Sequence, residues 1–410
     1  MTADESGFAA IYRREAGRCT ATLVRVLGSI ELAEEAVAEA FAIAAARWPS
    51  TGIPPNPGGW ITTTARNRAI DRLRREAKRH DLHLAAHRLA DTDPPDVDDR
   101  GDLDVVPDDQ LRLIFLCCHP SLAPETQVAL TLRLLGGLET AAIAHAFLVP
   151  ESTMAQRLVR AKRKIRDNHF TYRIPDAAEL PDRLPPVLAT LYLVFNEGYT
   201  TIDGPSLVRG DLADHAIRLG RILAELLPDE SEALGLLALM LLADARRTAR
   251  TDRRGDLVRL ADQDRSTWDR TLITEGHAIV RECLRRDRPG PYQIQAAINA
   301  VHTDAAVAAD TDWAQIVVLY DQLYVHQPTD VVWLNRAVAL AETHGPTAAL
   351  QSLETVALDG YHLFHATRGD LLERVGRRAD AGEAFRRALA LTSNPAEQRY
   401  LTRRIARFDG

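Results

Sequence analysis

Two runs of cationic side chains carry the chemistry that this chain offers most openly. The first is Arg66, Arg68, Arg72, Arg74, Arg75, Lys78 and Arg79, opposed between Arg66 and Arg79 by only two acids. Ile61, Ala65, Ala69, Leu73 and Ala77 recur at four-residue steps through the same stretch. On a helix that spacing collects the apolar residues on one side and leaves the guanidinium groups on the rest. A face of this kind neutralises phosphates and releases their counterions. Asn67 adds an amide that can bond to base edges or to the backbone. Trp60 follows a Pro/Gly-rich loop and offers a ring on which an unpaired base can stack. A merely solvated basic face is the plainer alternative.

The second run lies between Arg157 and Arg166, which holds six basic residues and no acid. Met154, Leu158, Ala161 and Ile165 step by four, three and four, the mark of a core stripe, while Thr153, Gln156, Arg157, Arg160 and Lys164 fall outside it. Upstream, Glu125–Leu135 is amphipathic and stops at Gly136-Gly137, and Thr140–Phe147 forms a short second helix. Leu148-Val149-Pro150-Glu151 then turns the chain, with Ser152 as the expected cap of the last helix. This is the layout of a helix-turn-helix whose second helix enters the major groove. A solvated helical hairpin is the alternative.

A third collection is polar and mixed in sign: Asn196, Glu197, Asp203, Asp211, Asp214, His215, Asp244, Arg246, Arg247, Asp264, Arg265 and Trp268. Carboxylates with a histidine permit acid–base work, and equally a hydrogen-bond network that fixes helices. Ligand or partner sensing is the third reading. Asn196, Glu197, Asp203, Asp211 and Arg247 are its named candidates. Cys117-Cys118-His119 has no second ligand cluster at zinc spacing, so the four cysteines read as buried thiols and no metal is expected. No phosphate loop or nucleophile elbow occurs beyond residue 176, and neither catalysis nor a cofactor is expected.

The elements that must position these groups are helical throughout. Ala, Leu, Glu and Arg dominate and alternating β-branched runs are rare, so the expected fold is all-α. The first helix carries Phe8, Tyr12, Cys19, Leu23 and Val26 on one face. Gly28 ends it, and Ser29 caps a second helix with Leu32, Ala36, Val37, Ala40, Phe41 and Ala44 inward and Glu31, Glu34, Glu35 and Glu39 mostly outward. Prolines 49, 54, 55 and 57 with glycines 52, 58 and 59 predict a loop before a helix that Trp60 opens and that runs to about His80. Nine aspartates and one arginine between Asp91 and Asp109 predict a flexible acidic tether. The overall charge of −7 sets the two basic helices apart as local features. The N-terminus lacks signal-peptide character and no apolar run is long enough to span a membrane, so a cytoplasmic protein is expected.

At this point the chain resembles the extracytoplasmic-function (ECF) sigma factors of the sigma-70 family. "ELAEEAVAEAF" is similar to the helix that docks on the polymerase clamp. "WITTTARNRAIDRLRRE" is similar to the promoter-melting and minus-ten helix, and "GLETAAIAHAFLVPESTMAQRLVRAKRKIR" to the helix-turn-helix that reads the minus-thirty-five element. The resemblance implies two small sigma domains over 1–80 and 107–170, joined by the acidic linker 81–106. It places Glu31, Glu35 and Glu39 toward the polymerase, the loop from Trp48 to Gly59 around a flipped base, and Trp60, Arg66, Asn67, Arg68, Arg72 and Arg75 on DNA. Thr153, Gln156, Arg157, Arg160 and Lys164 would hold the upstream element. RNA polymerase core, through its clamp helices and flap, and promoter DNA are the implied partners. Ala38 stands where the family often has glutamine, and Leu148 where the turn usually has glycine.

Residues 176–410 exceed a minimal sigma factor. "VVWLNRAVALAETHGPTAALQSLETV" and "YHLFHATRGDLLERVGRRADAGEAFRRALALTSNP" resemble tetratricopeptide repeats about 32 residues apart. "LYLVFNEGYTTIDGPSLVRGDLADHAIRL" and "GPYQIQAAINAVH" resemble the extension of one ECF group, which implies that it governs activity by binding a regulatory protein or ligand. The competing expectation is a polymerase-independent helix-turn-helix regulator with a C-terminal sensing domain.

Overall fold

The computed structural model describes residues 3–85, 107–147, 149–176, 178–199 and 210–408. Among them the chain is all-α, as its composition requires. The β pairing there is a single isolated bridge, Thr251 with Leu257. Backbone compactness divides the molecule into two units, Met1–Thr190 and Leu191–Gly410.

The first unit opens with α1 (Ala3–Leu27), α2 (Ile30–Thr51) and α3 (Pro57–Ala85). Gly28 leaves α1 at φ +67°, and the Ser29 hydroxyl accepts from the Leu32 N–H, so both ends form as their residues predict. Val26, expected inward on α1, is instead more than a third exposed. Leu23, Ala33, Ala36, Val37, Ala40, Phe41, Ala44, Ile61, Ala65 and Ala69 build the shared core. Two boundaries differ from the sequence reading. α2 runs through Pro49 to Thr51, since the proline removes only its own N–H, and Ser50 and Thr51 hydroxyls bond back to the Arg47 carbonyl. α3 begins at Pro57, where the missing N–H is harmless, and continues past His80 through helix-forming residues to Ala85.

Then come α4 (Pro107–Cys117), α5 (Pro124–Leu134), α6 (Thr140–Ala146) and α7 (Glu151–Asp167). Residues 86–106 of the expected linker, and Leu148 of the expected turn, lie outside the described residues. Pro150, not Ser152, sits at the start of α7: its carbonyl accepts from Thr153 and Met154, and no side chain caps the helix. The cysteines Cys19, Cys117, Cys118 and Cys283 are free and buried. Burial pushes the Cys19 thiol up to about 12 and the Cys118 thiol to about 11. His119 stacks on Phe170 at 3.8 Å between ring centres.

α8 (Leu180–Tyr199) crosses from the first unit into the second. Its N-terminal half belongs with the first because Leu184, Val187 and Leu188 are buried and Arg183 donates to the Phe115 carbonyl at 2.8 Å. That is why compactness changes at Leu191 and not at residue 176.

The second unit continues with α9 (Gly210–Leu226), α10 (Ser231–Asp244), α11 (Arg270–Arg286), α12 (Pro291–Asp304), α13 (Trp313–His326), α14 (Asp330–Thr343), α15 (Pro346–Ser352), α16 (His362–Arg374), α17 (Arg378–Leu391) and α18 (Pro395–Ile405). α10 is apolar nearly all round and is the central helix of this unit, with α9, α11 and α12 packed about it. Toward the C-terminus, successive antiparallel helices bury Leu334, Ala337, Phe364, Leu372, Phe385 and Ala388.

Candidate nucleic-acid interface

On α3 the helical period holds over its first turns and fails at Leu73, which is exposed; the side chain of Ala77 lies outside the described residues. Ile61, Ala65 and Ala69 face the core, Arg66 is half-buried, and Asn67, Arg68 and Arg75 are exposed. Trp60 is half-buried, its ring set edgewise on Trp48 at 5.4 Å. Asn56 fixes the start of the helix: its side-chain oxygen accepts from the Gly59 N–H at 3.0 Å and its carbonyl from the Trp60 N–H at 3.1 Å. Sequence reasoning passed over Asn56, although an Asn one residue before a helix-starting proline is a capping signal.

The residues expected on polymerase and on DNA are not separate sets. Arg68 lies 3.7 Å from Glu39 across the α2–α3 seam, and Arg72 pairs with Glu35. All four side chains are at least two-fifths exposed, so each pair contributes under about 1 kcal/mol and opens at little cost. Arg75 donates to the Asp71 carbonyl of its own helix.

On α7 the buried stripe is Met154, Leu158, Ala161 and Ile165. Thr153, Gln156, Arg160 and Lys164 are exposed, and Arg157 is half-buried over the Phe147 ring at 5.8 Å. Arg160 donates to Gln156 at 3.1 Å, which orders that pair on the open face, and Lys164 donates to the Ser121 carbonyl.

The two basic helices are brought into one packed body. The Glu34 carboxylate accepts from Arg133 of α5 at 2.9 Å and from Lys162 of α7 at 2.6 Å, and Arg166 reaches Glu31 at 3.1 Å. Behind this row, the fully buried Asp109 receives Arg25 at 2.9 Å and Arg112 at 2.7 Å. The Tyr172 hydroxyl lies 2.7 Å from the Ala21 carbonyl and 2.9 Å from that of Asp109; burial, then Asp109, raises its pKa. α1 and α5 approach so closely that a Cβ on Gly17 would stand 2.3 Å from the Leu135 carbonyl oxygen. Thus Glu31, expected to face a polymerase, is engaged by the helix expected to face DNA.

In the second unit part of the expected polar group is brought together, and Arg265 lies over the Trp268 ring at 4.8 Å. Arg247 is held by Asp244 through two 2.7 Å bonds and by Asp214 at 2.7 Å, a staple between α9 and the end of α10. Burial raises the Asp244 pKa in spite of that arginine. Asn196 and Glu197 are half-buried on α8. Asp203 and the side chain of Asp211 lie outside the described residues.

Family comparison follows the same division. Residues 11–79 match the model of sigma-70 region 2, residues 112–165 that of sigma-70 region 4, and residues 183–284 that of a family of unknown function, DUF6596. An uncharacterized protein of Rhizobium meliloti (strain 1021) is 44% identical over 383 residues, covering 92% of this chain and 90% of that protein. No solved structure matches. No helix among the described residues is long and apolar enough to cross a membrane.

Proposed function

We propose, given that the chain belongs to the sigma-70 family of transcription initiation factors, that it is an ECF-type sigma factor whose two promoter-binding helices are held in a closed arrangement until polymerase separates them. The region 2 and region 4 matches occur in family order on α1–α3 and α4–α7. The observation that carries the reading is Glu34: one carboxylate on the helix similar to the clamp-docking element takes up Lys162 of the recognition helix and Arg133 beside it.

In this reading the exposed Asn67, Arg68 and Arg75 and the half-buried Arg72, with Trp60 at the head of α3 and Arg66 beside them, grip the downstream element. Thr153, Gln156, Arg157, Arg160 and Lys164 serve the upstream one. Base contacts come from the N-terminal turns of α7 and phosphate contacts from its basic end. Glu31, Glu35 and Glu39 face the polymerase clamp once their arginine partners turn to DNA. The helical C-terminal unit, TPR-like toward its end, regulates the step.

Run-off transcription with core polymerase tests it. The full-length protein should yield a defined start on its own upstream promoter. Glu34→Gln should raise product severalfold at limiting protein, because it weakens the closed form. Absence of any product with core polymerase, together with tight polymerase-independent binding to duplex DNA, would move the chain to the class of ordinary helix-turn-helix regulators.

A further inference from the structure

Buried arginines in the second unit fall into two kinds. Arg404 is 6% exposed and paired with acids: Asp370 at 3.0 Å and Glu373 take one terminal nitrogen, and the Tyr400 hydroxyl lies 2.7 Å from the other, while its Nε–H is buried with no acceptor. Arg246 is 7% exposed, and among the described residues its bond is to the neutral side-chain oxygen of Asn299, at 2.7 Å. Its Nε–H is buried with no acceptor.

The surroundings deepen this imbalance. Arg265, 6% exposed, donates to the His302 and Ala305 carbonyls at 2.7 Å and to Thr311 at 3.2 Å, closing the C-terminus of α12. Its Nε–H, the Trp268 indole N–H and the His302 Nδ1 are likewise buried without partners. Arg250, 8% exposed, is by contrast partnered: it donates to the Tyr199 carbonyl and lies over that ring at 3.5 Å. The carboxylates nearby are occupied or outside: Asp244 by Arg247, Glu397 by Thr392 and His362, and Asp310 exposed. Burial first, then Arg246 and Arg265, lowers His302 to about 4, so it adds no charge at neutral pH. Among the described residues no carboxylate is bonded to Arg246 or to Arg265, and a buried cation without an anionic acceptor is destabilised.

Access comes from one face of α12. Gln295, Asn299 and His302 follow one another at i, i+4 and i+7 and are each only half-buried. Tyr192 meets Gln295 at 3.4 Å, and Tyr320 interacts electrostatically with both Tyr192 and Arg246. We propose that this face, with Arg246 at its floor, is a binding site for a small oxyanion, a carboxylate or a phosphate, whose organic body rests against Tyr192 and Tyr320. Arg246 and Asn299 supply the charge-assisted and neutral donors, and the tyrosine rings shield the pair from water.

The test uses the full-length protein and three probes at matched ionic strength: sodium phosphate, sodium succinate and sodium chloride. Thermal unfolding and titration calorimetry are followed. Phosphate or succinate, and not chloride, should give a saturable one-site response with a Tm rise of about 3 °C or more at saturation. The responding probe identifies the class of oxyanion. Arg246→Met should abolish the increment, and Arg270→Met, on an exposed turn of α11, should keep it. Asn299→Asp places a carboxylate on the atoms that now face Arg246 and should reduce the increment at least tenfold. It decides the matter if Arg246→Met does not fold. Responses to phosphate and succinate equal to chloride up to ~20 mM, or an increment retained by both Arg246→Met and Asn299→Asp, would overturn the proposal.

Discussion

Charge is handled in opposite ways at the junction inside the first unit and at the Arg246 centre of the second. In the first, the acids that join its two halves are answered: Asp109 by two arginines, Glu34 by an arginine and a lysine, Glu31 by Arg166. Most of those pairs keep one partner in water and can exchange it for a phosphate or another protein. In the second, Arg246 is deeply enclosed and has no carboxylate among the described residues. A balanced, wettable junction is suited to opening; an unbalanced, dry centre is suited to being filled.

The sharpest test of that contrast is a pair of substitutions with opposite expected signs. Asp109→Asn leaves Arg25 and Arg112 facing a neutral group at a fully buried position, and should destabilise the first unit by about 2–3 kcal/mol in chemical denaturation. Arg246→Met removes an uncompensated cation and should leave the ligand-free second unit within about 1 kcal/mol of the parent, or more stable. Equal losses would erase the distinction.

A wedge gives the next effect. Gly17→Val meets the Leu135 carbonyl at the α1–α5 contact and should cost about 2 kcal/mol while making Tyr172 accessible to iodination. Unchanged stability would mean that the seam is looser than its geometry. Smaller again is Lys162→Ala, which leaves the half-buried Glu34 with Arg133 and should lower stability by about 1 kcal/mol. Its clearer readout is polymerase affinity, which should rise severalfold and lose its salt sensitivity.

The last effect is pH dependence in the second unit. His302 titrates at about 4 in the fold against about 6.5 unfolded, so the neutral form is favoured by folding. That contribution is complete above about pH 6.5 and is lost as pH falls toward 4. His302→Gln should flatten the Tm of this unit across that window. An identical acid slope in both proteins would assign the loss to carboxylates instead.

Local chemistry was legible in the sequence and distant pairing was not. Ser29, Gly28 and the Met154–Ile165 stripe could be placed because caps and periodicity are written within a few residues. Lys162 and Glu34 are 128 residues apart, and nothing in either neighbourhood announces the other. Arg246 and Arg247 are adjacent in the chain and have opposite surroundings: among the described residues one has no carboxylate and the other has two. Pro49 misled in another way: the rule against proline in helices concerns a lost bond, and near a helix end hydroxyls of Ser50 and Thr51 offset it.

The four buried thiols have a practical consequence. For Cys19, Cys117 and Cys118 the helices must part before a reagent can reach the sulfur, whereas Cys283 lines an open groove with Leu284 and His326; burial suppresses the thiolate of each. Alkylation of Cys117 and Cys118 is therefore a clock for opening of the first unit, with that of Cys283 as an internal reference. Peptide mapping of the modified sites over time would show whether the first unit yields when polymerase is added, with no label introduced into the chain.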